Sequence, residues 1–535
     1  MTEKKLYFKQ NVLVEPLFNQ WYAWPNLIPP VSAAMYIANS HLKIMESFVS
    51  SPQIHVSALK NPAMLGGPFI NYAADRVNEI KLLLNKTRQE QTLMLELAEA
   101  VNSLDSMLQV EAKGYSLESL YPKVPDSLKG YVELVYDLHN HASPRFVDGL
   151  LYKSKYYNPS SQSIALSLCE SDYRSFVFST PRLKGNGRVF LDVPFNAENL
   201  DALFQMKFVP GSYEQIKESL TVAPGDEALF SQFFTEKEPR APAEYKGDGV
   251  RIRYFGHACL LIEAPDVSIL CDPVISYKEQ SGIDRYIHAD LPEKIDYVLI
   301  THSHPDHVMF ETLLQLRHKV KNLIVPKSSG SNRVDPSLKQ ILRTTGFYQA
   351  YEIDELETIE IPGGRIIGLP FLGEHCDLNV RTKLAYRVEL QGNSMLMAAD
   401  SNNLESRLYR HVREVFGEVD LLFLGMECDG APMSWLYGAL FTSPISRKDD
   451  QSRRLSGSTY EKGIDIVNIL KPKQVYVYAM GQEPWLKFLT SLHYTEESRP
   501  IIESNKLVSE CVSRGIVAER LYVQKELFLS PSTKA

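Results

Sequence analysis

The chain has 535 residues and a net charge of −8, with 44% hydrophobic and 23% charged residues. These proportions are those of soluble globular proteins and exclude a disordered, a collagen-like or a small disulfide-stapled chain. No half of the chain is basic and no basic run occurs, so nucleic acid and anionic membranes are poor candidate partners. The length predicts two or three domains.

The cysteines and the N-terminus indicate the compartment. The six cysteines contain no CxxC pair, and the chain is too long to depend on disulfides, which favours free thiols in a reducing compartment. The first residues, MTEKKLYFK, do not resemble a signal peptide, and no apolar run approaches the roughly 18 residues of a membrane span. We therefore expect a soluble, cytoplasmic protein with no membrane segment.

Residues 1–245 predict a mixed α/β domain. A stretch rich in proline and aromatic residues at 21–30 precedes a region, 74–110, in which leucines fall among polar residues as they do in amphipathic helices. Two strand-like runs, 175–178 and 188–191, come later. No motif in this part of the chain indicates a chemistry.

The His139–His141 pair is the one HxH arrangement in this N-terminal part. It ends a helical run and has neither an aspartate nor a third ligand beside it. We interpret the two histidines as structural or pocket-lining residues rather than metal ligands.

A polar, charged segment with prolines, 235–244, is the best linker in the chain. It divides the sequence into predicted domains 1–245 and 246–535. Short strands separated by turns follow it, with one helix at 309–319 and a hairpin turn at 391–393. The predicted strands are 250–255, 259–263, 267–271, 297–301, 322–325, 357–361, 365–369, 385–390, 394–399, 420–425 and 474–479. Many strands punctuated by helices predict two packed sheets with helices outside, an αββα sandwich.

The string THSHPDH at 301–307 follows an apolar strand and carries the clearest chemical signal. In an extended run His302 and His304 project to the same side, so both imidazoles can bind one metal. A turn at the proline brings Asp306 and His307 to a second metal. Imidazole and carboxylate suit zinc, iron or manganese, and three of thirteen histidines within six residues argue against chance clustering.

This string resembles the HxHxDH signature of the metallo-β-lactamase superfamily, and GHACLLIE at 256–263 is similar to its opening hairpin, as is ILCDP at 269–273. The resemblance implies that Asp400 bridges two metals, that a further ligand lies within 373–377, and that His257 is a pocket or structural residue. It also implies a final histidine after the strand 475–479. The residue there is Met480, and a thioether does not replace imidazole on a hard metal.

These departures resemble a narrower family, the dinuclear iron β-hydroxylase of chloramphenicol biosynthesis and its relatives in nonribosomal peptide pathways. In that family the middle ligand is a glutamate and the final histidine is lost; Glu374 and GMECDG at 425–430 match it. The resemblance implies one iron held by His302, His304 and Glu374. It implies a second iron held by Asp306 and His307, with Asp400 bridging.

The change in ligands favours iron on chemical grounds as well. Replacing one histidine of a hydrolase site by Glu374 and deleting another changes the formal ligand charge from about −2 to about −3, which suits harder ions such as ferric iron. The position vacated at Met480 leaves room for oxygen at the metal. A zinc hydrolase instead needs one bound water within a filled shell.

The family resemblance implies an O2-dependent diiron monooxygenase that uses an external electron donor. The implied substrate is an amino acid held as a thioester on a peptidyl-carrier domain of a nonribosomal peptide synthetase and hydroxylated at its β carbon. The N-terminal domain would close the pocket, dock the carrier and form a homodimer. The alternatives are a dinuclear zinc hydrolase of lactones, phosphodiesters or amides, and a metal-dependent scaffold without turnover; neither explains Met480 together with the surviving ligands.

Two further features concern catalysis. Glu374 is a candidate catalytic residue as well as a ligand. Glu427 is either a base or substrate contact near the metals or a solvated acid at a strand end. The apolar segment 431–441 behind it is either a substrate-facing insertion or a core helix.

Overall fold

The computed structural model describes residues 5–185, 187–241, 244–330 and 332–532. Two seven-stranded sheets form its C-terminal part. The strands of the first sheet, in spatial order, are Ala350–Ile353, Val320–Pro326, Ile295–Leu299, Val267–Cys271, Leu260–Ala264, Val250–Tyr254 and Lys525–Leu529. Those of the second are Thr358–Ile361, Gly364–Leu369, Ala385–Leu390, Asn393–Met397, Leu421–Gly425, Gln474–Tyr478 and Val517–Arg520.

Apolar side chains from both sheets form one core between them, including Ile262, Ile269, Val388 and Phe423. The outer face of the second sheet is covered by three helices, Arg407–Phe416, Tyr460–Leu470 and Arg499–Ser513. The helices Phe310–Leu316 and Leu338–Thr344 contribute to a core on the outer face of the first sheet. Strands such as Val267–Cys271 are buried along their whole length, which explains why they read as continuous apolar runs. The predicted αββα sandwich is confirmed.

The N-terminal part packs against the first sheet. Its four-stranded sheet has the order Trp21–Tyr22, Val12–Phe18, Gln162–Leu168, Val189–Leu191, and a three-stranded sheet has the order Gly211–Ser212, Lys5–Phe8, Phe234–Thr235. Its helices are Pro30–Tyr36, Ile37–His41 (a π-helix), Leu42–Ser50, Pro52–Ala58, Val77–Glu90, Thr92–Glu111, Asp148–Leu151, Glu198–Gln205, Tyr213–Ser219 and Glu227–Ser231. One continuous core joins Phe8 and Leu97 of this part to Leu261 and Val298 of the first sheet.

A buried ionic network also joins the two parts. Arg174 donates two hydrogen bonds, of 2.9 and 2.8 Å, to the carboxylate of Glu311, and one of 2.7 Å to Glu15. Arg182 donates to Glu15 at 3.0 Å, and the hydroxyl of Tyr22 donates to Glu311 at 2.8 Å. Because these charged side chains are buried, removing any one of them would leave its partners unpaired away from water, at a large cost in stability. Glu311 lies four residues after His307, so the network fixes the helix that follows the histidine-rich string.

Most predicted elements are confirmed, including the helices within 74–110 and the strand at 188–191. The strand predicted at 175–178 is wrong, because those residues form an irregular segment. Within the linker 235–244, residues 242 and 243 lie outside the described residues, and 236–241 and 244 contain no helix or strand. The domain boundary at 245 stays a prediction.

His139 and His141 lie in the exposed turn between the strands Val132–Tyr136 and Ala142–Phe146. The expectation that they end a helical run is therefore wrong. Nδ1 of His141 lies 2.9 Å from a carboxylate oxygen of Asp137, so an aspartate does stand beside the pair.

Among the residues that the structure describes, no helix is both long and apolar enough to cross a membrane.

Candidate metal centre

The histidine-rich string begins where the strand Ile295–Leu299 ends. Residue Asp272, which follows the neighbouring parallel strand Val267–Cys271, holds the start of the string in place. Its carboxylate accepts hydrogen bonds from the backbone N–H of Thr301 at 2.8 Å and from the Thr301 hydroxyl at 2.6 Å. The carboxyl ends of two adjacent strands therefore build this side of the site together.

The structure brings the predicted ligands of the first iron together. The ligand atoms of His302, His304 and Glu374 all lie within 4.8 Å of one another. Nδ1 of His304 is 2.8 Å from one carboxylate oxygen of Glu374, and Nε2 of His302 is 3.7 Å from the other. All three side chains are buried, and burial raises the pKa of Glu374 to about 7.

Asp400 lies between histidines of the two predicted ligand sets. Its Oδ2 atom is 3.1 Å from Nε2 of His307 and 3.8 Å from Nε2 of His302. One carboxylate thus faces a histidine from each predicted ligand set, as a bridging ligand must. Burial lowers the pKa of His307, but the charges of Asp400 and Asp272 outweigh it and raise that pKa well above its ordinary value.

Asp306 groups with His307 and with His257, whose ligand atoms lie within 4.8 Å of one another. Nε2 of His257 is 3.2 Å from a carboxylate oxygen of Asp306. Burial would raise the pKa of Asp306, but the hydrogen bond and charge of His257 and the charge of His307 hold it below its ordinary value. His257 therefore contacts a candidate ligand and belongs to a group that could itself hold a metal, so its interpretation as a pocket or structural residue stays a prediction.

The donor set fits two iron ions. Buried polar atoms in proteins almost always find a partner, yet among the described residues Nε2 of His302, Oε2 of Glu374 and Oδ1 of Asp400 have no hydrogen-bond partner. Each belongs to one of the converging groups. Three carboxylates with three imidazoles carry about −3 of formal charge, and such oxygen-rich sets suit iron.

The loop that carries Glu374 is sharply bent. Gly373, Glu374 and Cys376 all have positive φ, of 79°, 68° and 55°, so the segment is not extended. A Cβ on Gly373 would lie 2.5 Å from Cβ of Asn402, which shows how closely this loop packs on the one that follows Asp400.

Because of that bend, Glu374 and His375 do not point opposite ways. The His375 ring stacks on the ring of His304 with centroids 4.5 Å apart, and its Nδ1 atom is 3.2 Å from the Glu374 carboxylate. Neighbouring side chains on an extended segment would point to opposite sides, but here both residues lie beside His304, so direction alone does not exclude His375 as a ligand. The assignment of Glu374 as the ligand stays a prediction.

A cavity of about 270 Å³ opens onto these residues. His304, Asp306, Glu374 and Asp400 form its polar wall. The apolar wall consists of Leu65, Pro432, Trp435, Leu436, Leu455, Leu489 and Leu492. Met480 lines the same cavity and is buried. The position where a hydrolase carries its final histidine is thus close to the candidate ligands and holds a thioether.

Glu427 lies in the wall of this cavity. Its carboxylate accepts hydrogen bonds from the backbone N–H of Gly430 at 2.6 Å and from the hydroxyl of Tyr494 at 3.0 Å. Burial raises its pKa to about 7. It is therefore a partly buried, bonded acid and not a solvated one at a strand end.

The segment 431–441 is partly helical and partly lines the cavity, and its role as a substrate-facing insertion stays a prediction. It contains a short strand, Ala431–Pro432, the helix Met433–Tyr437 and a 3-10 helix, Gly438–Leu440. Trp435 and Leu436 line the cavity, whereas Tyr437 is buried and its hydroxyl oxygen lies 3.0 Å from Nε2 of His304.

Sequence reasoning missed two residues that contact the candidate ligands. Asp272 was noticed only as part of the ILCDP segment, although an aspartate at a strand end beside a histidine-rich string could have indicated its role. No sequence signal could have found Tyr437, which is 133 residues from His304.

Comparisons with known proteins define the class. A family model described as "Diiron non-heme beta-hydroxylase N-terminal domain" matches residues 7–239, and one described as "Beta-lactamase superfamily domain" matches residues 268–454. Together with 38% identity over 97% of the chain to a 3-hydroxylase, these matches show that the chain belongs to the diiron non-heme β-hydroxylase family and is a non-haem diiron oxygenase.

A relative from Streptomyces venezuelae is named 4-amino-L-phenylalanyl-[CmlP-peptidyl-carrier-protein] 3-hydroxylase. It is 38% identical over 529 residues, covering 97% of this chain and 99% of the relative. The crystal structure of CmlA, a diiron β-hydroxylase from the same organism, matches with a TM-score of 0.92 and 37% identity, covering 99% of this chain and 100% of that one. A glutamate-to-aspartate variant of CmlA matches with a TM-score of 0.89 and 37% identity, over 98% of this chain and 100% of that one. The comparisons favour the oxygenase prediction over the zinc hydrolase.

Proposed function

We propose that this enzyme hydroxylates the β carbon of an amino acid tethered as a thioester to a nonribosomal peptide synthetase carrier domain. The observation that carries the proposal is the convergence of three carboxylates and three histidines next to a cavity that His304, the three carboxylates and Met480 line. The near full-length similarity to a hydroxylase named for a carrier-bound substrate supports it.

In the proposed site His302, His304 and Glu374 would hold one iron, Asp306 and His307 would hold the other, and Asp400 would be shared between them. When bound, the two irons supply the redox chemistry that activates O2 for hydroxylation, with electrons from an external donor. The carboxylate of Asp272 orients the His307 ring by its contact with Nδ1 of that ring. The apolar wall of the cavity excludes water.

Glu427 is proposed to bind the substrate. An aminoacyl thioester carries a free α-amine, which is a cation near neutral pH. Among the described residues that line the cavity, the carboxylates are Asp306, Glu374, Asp400 and Glu427, and Glu427 alone is not a proposed ligand. A charge-assisted hydrogen bond from the ammonium to Glu427 would fix the amino acid beside the irons.

The N-terminal part is proposed to close the pocket, dock the carrier and form a homodimer. Leu65 and Gly66 lie in the cavity wall, and Nε1 of Trp435 donates a hydrogen bond of 3.2 Å to the carbonyl oxygen of Gly66. This contact supports pocket closure.

The cytoplasmic location and the homodimer stay predictions.

Metal analysis and mass spectrometry together test the proposal. We expect two irons per chain, and a mass gain of one oxygen atom when an aminoacyl-loaded carrier is incubated with enzyme, reductant and O2. The free amino acid should be a poor substrate, because carrier docking supplies binding energy for assembling the reactive complex. Two zincs with release of the aminoacyl group would instead identify a hydrolase. Equal turnover of the free amino acid would show that the enzyme does not require a carrier-bound substrate.

A further inference from the structure

The His304 ring makes a polar contact on each side. Its Nδ1 atom is 2.8 Å from the carboxylate of Glu374, and its Nε2 atom is 3.0 Å from the hydroxyl oxygen of Tyr437. The Tyr437 side chain is buried, and its ring centroid is 6.3 Å from that of His304.

We propose that Tyr437 is a positioning residue that holds His304 with Nδ1 free for iron. The inference rests on the proposed assignment of His304 as an iron ligand. An imidazole that binds metal through Nδ1 carries its proton on Nε2, and that N–H needs an acceptor in a buried site. The hydroxyl of Tyr437 accepts it, and it can donate to Nε2 in the other tautomer, so the contact survives in both.

Residues of the N-terminal part hold Tyr437 in place. The hydroxyl of Tyr36 donates a hydrogen bond to the carbonyl oxygen of Leu436, and the side-chain amide of Asn39 donates one of 2.9 Å to the carbonyl oxygen of Ala439. Asn39 lies in the π-helix Ile37–His41, a distortion that is frequent at functional sites. The backbone on each side of Tyr437 is therefore bonded to the N-terminal part.

The same short helix also forms part of the substrate cavity, because Trp435 and Leu436 lie in its wall. A shift of this helix would therefore move the cavity wall and the hydrogen-bond partner of His304 together. The structure thus assigns the N-terminal part a function beyond closing the pocket, since it sets the position of a side chain that contacts a proposed iron ligand.

Tyr437→Phe tests the inference directly, because it removes one oxygen atom and keeps the ring. Removing an outer partner of a metal-binding histidine typically weakens metal affinity 10–100-fold. We expect that loss when metal-free protein is titrated anaerobically with ferrous iron, together with an altered optical spectrum of the oxidised protein. Tyr36→Phe should give a smaller loss in the same direction.

Tyr476→Phe is the matched control. Tyr476 is also a buried tyrosine, and its hydroxyl donates to Gln474 at 2.7 Å in the second sheet. This variant should bind iron as the wild type does. Wild-type iron affinity and spectrum in Tyr437→Phe would overturn the inference.

His304→Ala separates this inference from the proposed function. If His304→Ala keeps wild-type iron affinity, the ligand assignment fails. If His304→Ala loses iron and Tyr437→Phe does not, only the role of Tyr437 fails. Should Tyr437→Phe not fold, 3,5-difluorotyrosine at position 437 makes the oxygen a poorer acceptor as long as the fluorinated phenol, which is more acidic than tyrosine, stays protonated. In buffer acidic enough to keep it protonated, this variant should weaken iron binding, and unchanged binding would overturn the inference.

Discussion

Nδ1 of His307 lies 2.8 Å from Oδ2 of Asp272. The same carboxylate oxygen accepts the hydroxyl hydrogen of Thr301, so one buried aspartate fixes both the backbone at the start of the histidine-rich string and the ring near its end. A carboxylate on Nδ1 directs the other ring nitrogen toward the metal and increases its basicity.

We therefore expect Asp272→Asn to weaken iron binding about 10–100-fold, because an amide cannot stabilise the ring in the same way. Anaerobic titration of metal-free protein with ferrous iron measures the change. Asp296→Asn is a suitable control, since Asp296 accepts hydrogen bonds from Ser268 in the same sheet and is not near the proposed ligands. An unchanged iron affinity in Asp272→Asn would show that Asp272 does not support metal binding.

Glu374 and His375 give a second prediction. Glu374→Ala should lose one iron per chain, whereas His375→Ala should retain both, because the carboxylate of Glu374 approaches both His302 and His304. Iron quantification of the purified variants decides between them. A crystal structure with the His375 imidazole at about 2.0–2.1 Å from a metal, and Glu374 turned away, would contradict the assignment.

Met480→His should lower hydroxylation at least about tenfold, which corresponds to roughly 1.4 kcal/mol of barrier. Met480 lines the cavity beside Asp306 and Asp400, so an imidazole there would fill the open coordination position. Turnover of an aminoacyl carrier, with metal content as a check, measures the effect. Met480→Leu controls for the loss of the thioether and should stay close to wild type. Full activity, with the new imidazole seen on the metal, would show that the open position is elsewhere.

Arg174→Met should destabilise the protein by about 3–5 kcal/mol, the usual cost of removing one partner from a buried ionic network. The substitution removes one hydrogen bond from each carboxylate oxygen of Glu311. It also removes the hydrogen bond from Arg174 to Glu15, which keeps its hydrogen bond from Arg182. Thermal melting of metal-free protein measures the change. Arg88→Met is the control, because Arg88 and Glu46 form an exposed pair and such pairs contribute at most about 1 kcal/mol. Equal melting temperatures in both variants would contradict the prediction.

The raised pKa of Glu427 predicts how folding stability depends on pH. Its folded pKa, about 7, is above the ordinary value of 4.5, so folding favours the protonated form. Its stabilising contribution is full below about pH 4.5 and is lost as the pH rises through about 7. The melting temperature of metal-free wild type, relative to Glu427→Gln, should therefore fall between about pH 5 and pH 8. A difference that stays constant over this range would refute the raised pKa of Glu427.

The sequence predicted the parts of the site that lie close together in the chain. His302, His304, Asp306 and His307 follow one strand, so their convergence depends only on local geometry. The loop at Glu374 was harder, because three positive φ angles between 373 and 376 bend it and only one of those residues is a glycine. Asp272 and Tyr437 were missed because their contacts depend on how strands and helices pack, which periodicity does not report.

The N-terminal fold was predicted less well for a similar reason. The leucine spacing at 74–110 is a local signal and indicated helices correctly. The pairing of Val12–Phe18 with Gln162–Leu168 joins segments that are far apart in sequence, and neither strand was predicted. At 175–178 the aromatic run resembles a strand, but Phe176 and Phe178 instead pack on Trp435.

The continuous core that joins Phe8 and Leu97 to Leu261 and Val298 limits how the enzyme can be divided. Cutting the chain in the segment 235–244 would expose the outer face of the first sheet, and each buried aliphatic side chain exposed there costs about 1.5–3 kcal/mol. A C-terminal fragment would then carry a large apolar surface and tend to aggregate. A chimera that replaces residues 1–245 must therefore supply a complementary apolar face and a partner for Glu311, in addition to a linker of suitable length.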